Sequence, residues 1–95
     1  MKLEVFGKLG CAMCESTKAK LTHLLSKAER PAELTFFDVN SIEGRAEGAF
    51  NDVLKIPTTI LRADTGAAVA RWEGKVPPSV EVQAFLGSAK GTGVA

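Results

Sequence analysis

Cys11 and Cys14, in the run Gly10-Cys11-Ala12-Met13-Cys14, are the residues best equipped for chemistry. Cysteines that staple a small domain usually lie far apart in sequence. A bridge across two intervening residues closes almost no loop, so it removes little entropy from the unfolded chain. The spacing therefore points to redox or metal chemistry. Placement sharpens this, because Cys11 falls where a strand pattern gives way to a helix pattern. The first backbone N–H groups of a helix are unpaired and its dipole is positive there, which favours a thiolate. Lys8, three residues earlier, adds positive charge. Cys11 is thus expected to ionise below the ordinary thiol range and act as nucleophile. Three residues advance about 300° around a helix, which puts Cys14 on nearly the same side, one turn deeper and less solvated. Cys11 would attack a disulfide to give a mixed disulfide, and Cys14 would resolve it by attacking Cys11.

Two alternatives stand beside this reading. Both residues could be ordinary half-buried cysteines, since free Cys behaves as a small hydrophobe. A structural zinc site needs four ligands, and the chain offers two cysteines and one histidine. His23 lies nine residues beyond Cys14, about 13 Å along a helix and on its opposite face. It completes no metal site and cannot serve Cys11 as a base, which disfavours a Cys-His hydrolase. It reads as a solvent-facing helix residue. A metal would have to be shared with a second chain or with a glutathione ligand.

The elements that must position the pair follow from periodicity. The chain has 95 residues, 45% hydrophobic and 24% charged, which fits one globular domain. Residues 2–8 form a first strand. A helix pattern follows from Cys11 to about Glu29, with Cys14, Thr17, Leu21, Leu24, Leu25 and Ala28 on one stripe. Pro31 is expected to end it. Leu34–Val39 is a second strand, rich in aromatic and β-branched residues. Asn40-Ser41 starts a second helix, with Ile42, Ala46, Ala49, Phe50, Val53 and Leu54 expected inward. Gly44 and Gly48 each weaken it by about 1 kcal/mol relative to Ala. Thr58–Arg62 and Ala67–Trp72 are strands joined by Asp64-Thr65-Gly66, so they are antiparallel neighbours. Ser79–Leu86 is a last helix, with Val80 or Val82, Phe85 and Leu86 inward. The order β-α-β-α-β-β-α, with a right-handed first crossover, demands an α/β fold. It calls for a mixed four-stranded sheet with helices on both faces. Residues 1–87 form the domain, and 88–95 are expected to be a flexible tail.

Composition also excludes partners. The net charge is +1 with signs interleaved, so no basic stripe exists to grip nucleic acid. No run approaches the roughly 18–20 apolar residues of a membrane span. Met1-Lys2-Leu3-Glu4-Val5-Phe6 is too short and too charged for a signal peptide. The expected location is the cytoplasm and the expected state a monomer.

The chain resembles the thioredoxin-fold thiol–disulfide oxidoreductases, and among them small glutaredoxin-like proteins. Phe6-Gly7-Lys8-Leu9-Gly10-Cys11-Ala12-Met13-Cys14 is similar to the glutaredoxin active-site run, with a lysine three before the first cysteine. Ile56-Pro57-Thr58 is similar to the loop in which the family has its cis-proline. The closing β-hairpin is followed by a Gly-containing loop and a helix. The resemblance implies that Pro57 is cis and packs beside the disulfide. It implies that Ile56 offers backbone N–H and C=O to a substrate strand, and that Gly74 belongs to the substrate-binding loop. The chain departs from thioredoxins in carrying Gly10 where they have Trp and Val5 where they have a buried Asp. It lacks the acidic pair by which many glutaredoxins hold glutathione, since Gly74-Lys75-Val76-Pro77-Pro78 stands there. Trp72 either lines a substrate groove or packs in the core. The implied activity is exchange with protein or glutathione-mixed disulfides, with no bound cofactor beyond the Cys11–Cys14 disulfide. Glutathione or a thioredoxin-reductase-like flavoprotein would be the external donor. The alternative function is a non-catalytic redox-sensing or metal-sharing domain on the same fold.

Overall fold

The computed structural model describes residues 1–87, and the expected tail at 88–95 lies outside them. The elements are β1 (Lys2–Gly7), α1 (Ala12–Ser26), β2 (Glu33–Asp38), α2 (Ile42–Phe50), β3 (Thr58–Arg62), β4 (Ala68–Glu73) and α3 (Ser79–Leu86). Their order is the one the periodicity demands. The sheet runs β2-β1-β3-β4, with β1 parallel to β2 and antiparallel to β3. Among the described residues no helix is long and apolar enough to cross a membrane.

Side chains alternate across a strand, so each face of the sheet has its own composition. On one face Leu3, Val5, Leu61 and Trp72 pack with Leu21 and Leu24 of α1 and with Val82 and Leu86 of α3. Full burial of such side chains is worth about 1.5–3 kcal/mol each. This is the main core, and it holds the helix that bears the cysteines. Val82 rather than Val80 turns inward, since Val80 is exposed. Trp72 is 5% exposed and its Nε1–H donates to Glu81 Oε1 at 2.6 Å, so it ties β4 to α3 as a core residue.

The opposite face departs from the apolar stripe expected of α2. Ile42, Phe50 and Leu54 are 84–90% exposed, and the helix ends at Phe50. Its buried residues are Gly44 and Gly48. A Cβ at Gly44 would stand 1.7 Å from the Asp38 carbonyl oxygen. The helix therefore approaches the end of β2 so closely that only glycine fits. Ser41 caps it, accepting from Gly44 N–H at 2.9 Å while its hydroxyl donates to Asp38 O at 2.7 Å. The C-terminal end is held by polar contacts. Arg71 donates to the carbonyls of Asn51 and Asp52 at 2.7 and 2.8 Å. Arg62 bridges Glu4 Oε1 at 2.7 Å and Asn51 Oδ1 at 2.6 Å. Phe6 stacks on Phe37 with ring centroids 4.9 Å apart.

α1 ends three residues before Glu29, at Ser26. The reason is a competing acceptor. Lys27 and Ala28 N–H tighten onto Leu24 O and Leu25 O, and Glu29 and Arg30 N–H then turn to Leu86 O. The C-terminal carbonyl of α3 thereby redirects the chain before Pro31 can act.

Candidate functional site

β1 delivers the chain to Gly7, and Lys8-Leu9-Gly10 carry it over to the helix. Gly10 has φ +80, a conformation L side chains rarely adopt, and this lets Cys11 enter α1 from above. Cys11 is the N-cap, with extended φ and ψ of −91 and 113. Its Sγ accepts from Cys14 N–H at 3.2 Å, which satisfies one of the orphan donors of the first turn. The two sulfurs are joined in a disulfide, with Cα atoms 5.2 Å apart. Cys14 is fully buried and Cys11 half-buried. One cysteine of the pair is partly exposed while the other sits in the core.

Gly7 is what lets Cys14 sink. A Cβ there would lie 2.8 Å from Cys14 Sγ, 3.0 Å from Cys14 Cβ and 3.2 Å from Phe36 Cε1. The periodicity of residues 2–8 does not single Gly7 out. The available signal was a glycine closing a strand just before a helix whose first turn holds a buried residue. Thr17, one turn beyond Cys14 and fully buried, returns its hydroxyl to Met13 O at 2.9 Å.

The Ile56–Pro57 peptide is cis. Phe6 pairs with Thr58, so one step further along the same register Pro57 stands beside Gly7, at the sheet end occupied by the disulfide. Pro57 is buried and Ile56 half-buried. Pro57 O accepts from Gly74 N–H at 2.8 Å, and Gly74 has φ +69. The loop after β4 is thus fastened to the proline loop. Ile56 N–H and C=O take no partner among the described residues. Around Cys11 the surface is apolar, with Leu9 72% and Met13 46% exposed. Lys8 is exposed on the entry loop.

The structure brings Cys11, Cys14, Lys8, Ile56, Pro57 and Gly74 to one end of the sheet. His23 is exposed near the far end of α1. Among the described residues no three His, Cys, Asp or Glu side chains cluster as a metal site would require. Thr59 is a residue the sequence did not flag. It is fully buried on the face that carries Val5 and Trp72, its partners in register, and its hydroxyl finds no hydrogen-bond partner among the described residues. Asp64 is held below the ordinary carboxylate range by a hydrogen bond and charge from the Met1 ammonium. It lies at the opposite end of the sheet and takes no part.

The cap geometry has a chemical consequence. When the disulfide opens, negative charge left on Cys11 Sγ lies where the Cys14 N–H already points and where the helix dipole is positive. Charge on the buried Cys14 sulfur would lose hydration instead.

No protein family and no curated protein matches the chain. Solved structures do. The fold is similar to thioredoxin 1 of the thermophilic eubacterium Thermosipho africanus, at 24% identity and TM-score 0.68, over 86% of this chain and 85% of that one. It is similar to thioredoxin-2 of the malaria parasite, at 19% identity and TM-score 0.74, over 88% and 78%. It is also similar to oxidised mitochondrial thioredoxin 3 of Saccharomyces cerevisiae, at 19% identity and TM-score 0.68, over 90% and 74%. The chain has the thioredoxin fold, with a C-x-x-C pair at the N-terminus of its first helix.

Proposed function

We propose that this thioredoxin-fold chain is a thiol–disulfide oxidoreductase in which Cys11 exchanges with external disulfides and Cys14 resolves the product. The observation that carries the reading is the asymmetry of the pair. Cys11 is half-buried, with its Sγ accepting from Cys14 N–H at 3.2 Å, while Cys14 is fully buried. An external thiolate or disulfide meets only Cys11.

In the reduced protein the Cys11 thiolate attacks one sulfur of a substrate disulfide. That S–S bond breaks, the distal sulfur leaves as a thiolate and takes a proton from water, and Cys11 is left in a mixed disulfide. Cys14 then gives up its proton and attacks Cys11 Sγ. The mixed disulfide breaks, the second substrate thiol departs, and the Cys11–Cys14 disulfide closes. Two electrons and two protons have passed to the substrate. Glutathione or a thioredoxin-reductase-like flavoprotein restores the dithiol, so no resident cofactor is required. The unpartnered backbone groups of Ile56 support docking of an extended substrate segment beside Cys11. Lys8 adds positive charge on the approach. In this reading the protein works as a cytoplasmic monomer on disulfide-bearing proteins, not on nucleic acid or membranes.

Replacing either cysteine tests the roles. With a protein disulfide as substrate and an external thiol as donor, Cys11→Ser is expected to abolish turnover. Cys14→Ser is expected to accumulate a mixed disulfide on Cys11, visible as an adduct by mass spectrometry. Turnover persisting in Cys11→Ser would overturn the assignment.

A further inference from the structure

The three loops around Cys11 share a pattern that disulfide exchange leaves unused. They are Gly7-Lys8-Leu9-Gly10, Leu54-Lys55-Ile56-Pro57 and Gly74-Lys75-Val76-Pro77. Each of these four-residue stretches has one lysine followed by an aliphatic residue and no carboxylate. The lysines are remote in sequence, and the topology gathers them. β1 ends, β3 begins and β4 ends at the same edge of the sheet, through the pairs Phe6–Thr58 and Thr58–Glu73. The Gly74–Pro57 hydrogen bond joins two of the loops. A Cβ at Gly74 would lie 3.3 Å from Lys55 Cδ, so the Lys55 stem crosses the turn that carries Lys75.

Lys8, Lys55 and Lys75 are exposed, and none forms an ion pair among the described residues. Glu73, next to this rim, is occupied by Arg71 at 2.6 Å. Of the other carboxylates toward this end, Glu15 lies on the first turn of α1 and Asp52 in the same α2–β3 connection as Lys55, three residues before it. At this end three exposed lysines stand against the two carboxylates Glu15 and Asp52, and exposed charges of this kind act within the screening length of the salt. The same end carries apolar surface from exposed Leu9 and Met13 and half-buried Ile56.

We propose that this surface docks an acidic, disulfide-bearing polypeptide. An extended segment lays its backbone on Ile56 and its apolar side chains on Leu9 and Met13, while its carboxylates meet Lys8, Lys55 and Lys75. Charge complementarity of this kind acts chiefly on the rate of encounter and on rejection of wrong partners. The inference rests on the oxidoreductase reading and adds the substrate class to it.

The test uses the reduced full chain and three disulfide-linked peptides that differ only in flanks of Glu, Gln or Lys. Glutathione disulfide and uncharged bis(2-hydroxyethyl) disulfide are the other two substrates. The acidic peptide is expected to react about 10-fold faster than the neutral one, and the basic peptide more slowly. That spread should collapse in about 0.5 M salt. The double variant Lys55→Gln/Lys75→Gln should lose most of the spread while reducing the hydroxyethyl disulfide at the unchanged rate. Equal rates for the three peptides, or a spread that survives the double variant, would overturn the docking proposal and leave the oxidoreductase reading standing. Glutathione disulfide outpacing the acidic peptide would also overturn it, because the occupant would then be glutathione. Failure to reduce any of the five disulfides would overturn both.

Discussion

The close approach of Cys14 to β1 makes Gly7→Ala the most informative single substitution. The new methyl group would stand 2.8 Å from Cys14 Sγ and 3.0 Å from Cys14 Cβ. Non-bonded heavy atoms prefer about 3.5–4.0 Å, so close to 1 Å of displacement is required. In the oxidised protein the sulfur has little freedom to yield. The disulfide ties it to Cys11, and Leu21 and Leu24 anchor the rest of the helix in the core. Overpacking of this kind costs about 1–3 kcal/mol, partly offset by the 0.4–1 kcal/mol that Ala gains over Gly through the unfolded chain. The expected net loss is about 1–2 kcal/mol. In urea unfolding of the oxidised form, that corresponds to a midpoint lower by roughly 0.5–1.5 M with an unchanged slope. Reduction frees the Cys14 side chain to rotate, so the dithiol form loses less. If the two forms differ by about 1 kcal/mol, the midpoint potential rises by about 20 mV, making the variant the stronger oxidant. An unchanged urea midpoint for the oxidised variant would refute the packing of Cys14 on Gly7.

Other substitutions probe the scaffold. Gly44→Ala, with its Cβ 1.7 Å from a backbone oxygen, should cost about 3 kcal/mol in chemical denaturation. Gly48→Ala, in the same helix but meeting nothing nearer than 3.8 Å, should stabilise by about 0.5–1 kcal/mol. Effects of the same sign would contradict the placement of α2. Thr59→Val removes a buried hydroxyl without a partner among the described residues and keeps the shape of the side chain. It should stabilise by about 1 kcal/mol, a rise of roughly 4–8 °C in thermal midpoint. A lower midpoint would mean that the hydroxyl is engaged.

What was legible in the sequence depended on side chains. The strands and α1 carry alternating or 3.6-period apolar residues, and their order fixes the parallel and antiparallel pairings. The seat of Cys11 was legible for the same reason, since a strand-to-helix junction is visible in the pattern. α2 misled because its packed face is made of Gly44 and Gly48. A glycine offers no hydropathy signal, so Ile42 and Phe50 looked like the buried stripe. Its anchors, Arg62 and Arg71, lie on later strands and acquire meaning only once β3 and β4 pair. Gly7 escaped for a related reason, because its role is to leave space. The cis peptide at Pro57 came through family resemblance, since periodicity carries no information about a peptide isomer. Lys8 was legible from its place three residues before Cys11, whereas Lys55 and Lys75 join it only once the sheet edge gathers their loops.

The central claim is that Cys11 and Cys14 form a reversible dithiol–disulfide couple. It is tested most directly by equilibrating the protein in graded glutathione redox buffers, quenching with acid, and measuring intact mass. The account predicts reversible loss of two hydrogens, with a midpoint within about −270 to −180 mV. The Cys14→Ser variant should show a glutathione adduct in its place. A pair that formed no internal disulfide in any buffer, or one that did not reopen, would contradict it.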